Sequence, residues 1–190
     1  MLIKENTSLE EAWSDLKHEL HRGALDRKSP LHQFILATQA PDEPDACYVV
    51  LRAVSRDLQP EFYTDYRSAK VQHLQVQPKV CALFYHPRQR FQLRLYARAA
   101  LHHQDDVTAE RWKQVPSRGR KAYTPAIPPG EFIAQPADAY HWPDEDDPQN
   151  FTVVQLEPYR WDLLQLDGDA HRRVFFTRKG ENWQGQWVAP

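Results

Sequence analysis

At 190 residues, with 24 Lys and Arg against 26 Asp and Glu, the chain carries a formal net charge of −2. That balance excludes the broad basic face a duplex binder needs, so nucleic acid is not an expected partner. The length suits one domain spanning residues 1–190, or one protomer of a small oligomer, with a sizeable core. No run of about 18 apolar residues occurs, so no membrane span is expected. The opening Met1-Leu2-Ile3-Lys4-Glu5-Asn6 lacks the apolar core of a signal peptide, and the two cysteines, Cys47 and Cys81, sit in apolar, strand-like contexts. Reduced thiols in a cytoplasmic protein are the expectation. Prolines (15) outnumber glycines (6) and crowd residues 116–148, which reads as one long irregular connection.

In chain order, residues 8–22 are predicted to form a helix: Ser8 and Glu11 have capping-box spacing, and Trp13, Leu16 and Leu20 form an apolar stripe. His18 and His21 lie three apart on it but lack a third ligand, so they read as surface residues. From residue 32 the period shortens. Residues 32–38 and 48–54 read as strands, joined by a turn at Asp42-Glu43-Pro44-Asp45. A strand over 61–64, a helix over 67–76 and strands over 80–85 and 91–101 follow, then a helix over 108–114. Residues 115–150 read as loop, with one turn of helix expected at Pro129–Ile133. Strands resume over 151–156, 171–177 and 183–188. Many short strands in antiparallel-looking succession, with few helices, predict a mainly β fold: a small barrel with peripheral helices.

The stretch Phe62-Tyr63-Thr64-Asp65-Tyr66-Arg67-Ser68-Ala69-Lys70 runs from a strand into a helix start. Hydroxyls, a helix N-terminus and two cations within it describe an anion cradle, to which Arg52 adds a third cation. The competing reading is that Arg67 and Lys70 are solvated helix residues. Gln92 carries an amide able to donate to and accept from a heteroaromatic edge. Arg172 and Arg173 point to opposite faces of a strand, so at most one of them shares a site with a given neighbour. The acidic stretches 102–106 and 144–147 lack metal-ligand spacing and read as exposed turns; no metal site is expected.

Tyr48–Arg52, Phe62–Lys70, Pro78, Ala82–Phe84, Gln92–Leu95, His171-Arg172-Arg173 and Trp183 leading to Val188-Ala189-Pro190 occur in an order that resembles the pyridoxamine 5′-phosphate oxidase family. The likeness covers roughly residues 30–105 and 150–190. It implies an FMN-binding split β-barrel that dimerises, with FMN at the subunit interface. It further implies that Arg52, Arg67 and Lys70 hold the flavin phosphate with support from Tyr63, Thr64 and Ser68. On the same ground Gln92 would meet the ring or ribityl chain, and Arg173 and Trp161 would complete the site.

Two departures shape the functional expectation. Cys47 stands where relatives begin the second-strand motif with arginine, and Asp169-Ala170-His171 replaces the Arg-x-His that covers the substrate ring in the vitamin B6 oxidases. The pattern therefore argues against true pyridoxamine 5′-phosphate oxidase activity. The expected function is an FMN-dependent oxidoreductase on a small substrate, with His171 as the candidate substrate-facing residue. The alternatives are a non-catalytic flavin- or haem-binding barrel, or a structural module whose basic residues decorate the surface.

Overall fold

The computed structural model describes residues 1–190. Helix α1 (Leu9–Leu25) starts at the expected capping box: Ser8 Oγ accepts from the Glu11 N–H at 3.1 Å, and Glu11 Oε2 accepts from the Ser8 N–H at 2.8 Å. It runs three residues beyond the expected end and buries Ala12, Leu16 and Leu20. A single 3₁₀ turn (Pro30–His32) leads into β1 (Gln33–Gln39), whose alternating burial puts Phe34 and Leu36 inward. Strand β2 (Pro44–Val50) begins inside the expected turn, because Pro44 and Asp45 already pair with Gln39 and Thr38.

The expected strand over 48–54 is broken. After Val50 the chain leaves β1: the N–H of fully buried Leu51 donates to the His32 carbonyl, and that of Arg52 donates to the Glu61 carbonyl. Pairing resumes as β3 (Ala53–Val54) against β4 (Pro60–Asp65). Then come α2 (Ala69–Val76), β5 (Lys79–His86), β6 (Phe91–His103), α3 (Asp106–Gln114), α4 (Ser117–Arg120), β7 (Phe151–Gln165), β8 (Arg172–Lys179) and β9 (Asn182–Val188).

The largest departure from expectation is β7, fifteen residues rather than six. Pro158, inside this strand, has no N–H to offer a ladder. The pairing with β6 slips one residue between Tyr96 and Ala97, and this bulge absorbs the proline. The long strand then serves two partners along one edge, β4 over its first third and β8 over its last. The sheet is antiparallel throughout, ordered β2-β1-β5-β6-β7-β4-β3, with β8 and β9 attached as a ribbon to the far half of β7. This is the mainly β fold with peripheral helices that the strand succession predicts.

The main core fills the concave side. Phe34 stacks on Phe84 at 4.6 Å and meets Phe62 edge-on at 6.1 Å. Helix α1 lies on the ribbon, with Trp13 against Phe176 and Trp183, and Gly185 is small because a Cβ there would fall 2.9 Å from the Phe176 ring. Buried Gln165 satisfies all its bonding capacity. Its Oε1 accepts from the Leu2 and Ile3 N–H groups, and its Nε2 donates to the Gln89 and Arg90 carbonyls.

A second, smaller cluster of Trp112, Val115, Tyr123, Phe151 and Val153 lies where α3 and the following loop cover β4 and β7. That loop has its short helices at α4 and at Pro136–Ala139 rather than at Pro129–Ile133. There the Pro128-Pro129-Gly130 turn intervenes, with Gly130 at a φ of 96° that other residues rarely adopt. No helix is long and apolar enough to cross a membrane.

Candidate cofactor site

Strand β4 ends at Asp65, and Tyr66 and Arg67 turn the chain into α2. Ser68 occupies the N-cap position in extended backbone, yet its hydroxyl donates backwards to the Asp65 carbonyl at 2.7 Å and lies 3.2 Å from Thr64 Oγ1. The Val71 N–H donates to the Ser68 carbonyl at 3.0 Å, but no side chain caps the helix, and the Ala69 and Lys70 amides add partial positive charge at this end. Lys70 Nζ reaches Thr64 Oγ1 at 3.4 Å.

Arg52 stands in the break between β2 and β3. Its guanidinium lies 5.6 Å from the Tyr63 ring centre, and its Nη2 lies 3.5 Å from the Tyr123 hydroxyl. Arg52, Tyr63, Thr64, Ser68, Lys70 and Tyr123 line one open depression of about 320 Å³. Neither Arg52 nor Lys70 forms an ion pair, and each makes one long hydrogen bond to a neutral hydroxyl. Two unpaired cations and the Thr64 hydroxyl beside a helix N-terminus suit a phosphate monoester. The residues present thus fit the phosphate end of a nucleotide cofactor.

Arg67 is not brought into this depression. Its Nε and Nη2 donate to Asp65 Oδ1 and Oδ2 at 3.0 and 2.7 Å, while Nη2 and Nη1 also donate to the carbonyls of Pro125 (2.8 Å) and Ala126 (3.2 Å). The hydrogen bonds to Asp65 raise its pKa above an already high value. With its fork consumed inside the protein, the side chain has little left for a ligand. Sequence spacing could not reveal this, because the two carbonyls arrive from 58 and 59 residues away.

Tyr63 is supported from below. Burial, then the nearby Glu61 carboxylate, push its pKa up, so the phenol stays neutral and able to donate. Glu61 is itself buried and held by Arg111 of α3 through a two-pronged pair of 3.0 and 3.2 Å, with Gln155 Nε2 at 3.3 Å. Cys47 lies on β2, where burial raises its thiol pKa despite the opposing charge of Lys70.

The other predicted site residues lie elsewhere. Gln92 on β6 and Arg173 on β8 share one row of the sheet, each opposite Leu164 of β7. Arg173 donates two 2.9 Å hydrogen bonds to Asp162, which is 1% exposed and also meets Arg94 at 2.6 Å. Trp161 is fully buried in the main core, so its ring has no access to a ligand. His171 is exposed on the turn before β8, and its Nδ1 accepts from the Asp167 N–H at 3.0 Å.

The cradle and the Gln92–Arg173 row sit at different places along β7. Tyr63 pairs with Val153, and Gln92 with Leu164. Eleven positions along β7 correspond to about 36 Å of strand. Tyr123, from the proline-rich loop, is the lining residue that sequence reasoning missed. Its only local signal is an aromatic in a polar loop, and its anchoring on Phe151 at 5.1 Å is purely tertiary.

The antiparallel sheet with its cationic depression at the α2 start has the chemistry that a phosphate-bearing cofactor would need. Residues 10–103 match the family described as pyridoxamine 5′-phosphate oxidase, FMN-binding domain. A pyridoxamine 5′-phosphate oxidase-related, FMN-binding protein from Nostoc punctiforme PCC 73102 superposes with a TM-score of 0.76 at 26% identity, over 93% of this chain and 96% of that one. PhzG from Burkholderia lata 383, solved with tetrahydrophenazine-1-carboxylic acid, superposes with a TM-score of 0.77 at 19% identity, over 94% and 92%. No curated protein matches the chain in sequence. Over residues 10–103 the chain carries the FMN-binding domain of the pyridoxamine 5′-phosphate oxidase family, and its cofactor is FMN.

Proposed function

We propose that the protein is an FMN-dependent oxidoreductase acting on a small substrate, with residues 1–190 working as one unit. The observation that carries this reading is the pair of cations without a carboxylate partner, Arg52 and Lys70, beside Thr64 and Ser68 at the α2 N-terminus. Arg52, Lys70 and Thr64 would hold the phosphate, with Lys70 as a point charge and Arg52 offering its fork, while Ser68, whose hydroxyl donates to the Asp65 carbonyl, would support the turn. Bound FMN supplies two-electron redox chemistry at its ring. The chain supplies position and electrostatics: Tyr63 offers a neutral phenol, and the loop bearing Tyr123 narrows the site. The free thiols Cys47 and Cys81 agree with a reducing, cytoplasmic setting.

Gln92 would enter through a second copy of the chain, with Arg173, already donating to Asp162, holding the strand beside it. The separation of this row from the cradle along β7 supports a homodimer with FMN at its interface. His171 stands near Arg173 in sequence, and its Nε2 remains free for a substrate.

The test is direct. Purified protein titrated with FMN should quench flavin fluorescence at one site per chain, sediment as a dimer, and lose its yellow absorbance under NADH or NADPH until air restores it. A colourless protein that neither FMN nor haem stabilises would overturn the reading. Flavin binding without reduction by any donor would make the protein a flavin carrier.

A further inference from the structure

We propose that Arg67 is a positioning residue: with Asp65 it latches the strap 122–129 over the cradle, and so sets flavin retention without touching the phosphate. The inference rests on the FMN reading above for its ligand and on the hydrogen bonds of Arg67 for its mechanism.

The strap has no regular structure of its own and needs fastening at both ends of its path. At one point Tyr123 is anchored among Trp112 and Phe151, and its hydroxyl faces Arg52. Two residues on, the Pro125 and Ala126 carbonyls both accept from the Arg67 guanidinium. Between β4 and α2, Arg67 is itself held rigid: its backbone N–H and its Nε both donate to Asp65 Oδ1, and the Asp65 side chain is only 2% exposed.

The far half of the loop rests on this fastened part. Ala126 N–H donates to the His141 carbonyl, Trp142 Nε1 donates to the Lys121 carbonyl at 2.9 Å, and Arg120 and Lys121 pair with Asp146 and Glu145. Ala122, Tyr123 and Pro129 then form one wall of the cradle. The guanidinium faces the opposite side of the strap, toward Thr124, Pro125 and Asp144. A planar fork is needed because carboxylate and two carbonyls must be met at once, and an ammonium cannot do so.

Affinity for FMN and for riboflavin, which has no phosphate, separates a latch from a phosphate ligand. Arg67→Ala should weaken both flavins by the same factor, about tenfold, through faster dissociation. It should also speed tryptic cleavage after Arg118, Arg120 and Lys121. Arg67→Lys, which keeps the charge, should behave like Arg67→Ala, and circular dichroism on both variants confirms that the barrel persists. A loss for FMN with none for riboflavin, rescued by lysine, would place Arg67 on the phosphate and overturn the proposal. So would unchanged cleavage of the strap in a folded Arg67→Ala protein. If wild-type protein bound neither flavin, the FMN reading would fall while the cleavage comparison still decided the latch.

Discussion

Two sets of cations in this molecule look alike in sequence and differ in what surrounds them. Arg67, Arg111 and Arg173 each face a buried carboxylate, Asp65, Glu61 and Asp162 respectively, in two-pronged geometry. Arg52 and Lys70 face neutral hydroxyls at the edge of hydrogen-bond range. The first set neutralises charges that the sheet has taken out of water, and removing one member strands its partner. The second set has no such duty, and that freedom is what the proposed phosphate site would use.

The contrast is sharpened most by breaking a committed pair. Arg111→Ala leaves Glu61 buried and charged with only Gln155 as a neighbour, and should destabilise the fold by about 3–5 kcal/mol in urea unfolding. A change under about 1 kcal/mol would mean that the committed cations are dispensable and the distinction has no energetic content.

Lys70→Ala should do the reverse. Stability should change by less than about 0.5 kcal/mol, while FMN binding weakens by about 1.5–3 kcal/mol, the scale of a charge-assisted hydrogen bond. Calorimetric titration of FMN and riboflavin checks this, since riboflavin affinity should stay unchanged. Arg52→Ala should follow the same pattern at about 1 kcal/mol, because this side chain is more exposed and its contribution is screened. Raising salt from 50 to 500 mM should weaken FMN binding in the wild type and have little effect in the double variant.

The smallest effect concerns His86, which meets the donors of Gln89 and Arg22, with the Glu19 carboxylate nearby as the opposing charge. Its Nδ1 accepts from the Gln89 N–H at 3.0 Å, and Arg22 Nη2 lies 3.5 Å from its Nε2. Burial lowers its pKa from 6.5. A depressed value means the fold favours the neutral ring, so this stabilisation is present above pH 6.5 and is lost as acid protonates the ring in the native state. Melting temperature should fall below pH 6.5, and His86→Gln should flatten that slope.

What the sequence disclosed and what it hid divide along the same line. The capping box at Ser8, the alternation in β1 and β6 and the meeting of Thr64, Ser68 and Lys70 at the start of α2 depend on neighbours within a few positions, so they are legible. Arg67 and Trp161 were assigned to the ligand by their place in a motif, yet one is spent on carbonyls from the distant loop and the other fills the core. No local pattern carries that information, because a guanidinium has the same spacing whether it faces a carboxylate or solvent. The strand expected over 151–156 continues past Pro158, and only its pairing with β6 reveals the slipped register that accommodates the proline. Tyr123 likewise acquires meaning from Phe151.

Gln165 has a consequence for handling the protein. One amide joins the first backbone groups of the chain to the turn between β5 and β6, while the Leu2 and Ile3 side chains are buried. Trimming residues 1–3 would leave an acceptor in the interior with nothing to bind and would open the core beside it. Purification tags therefore belong ahead of an intact amino-terminal segment, and a cleavage scheme that consumes its first residues would be expected to yield protein that aggregates on storage.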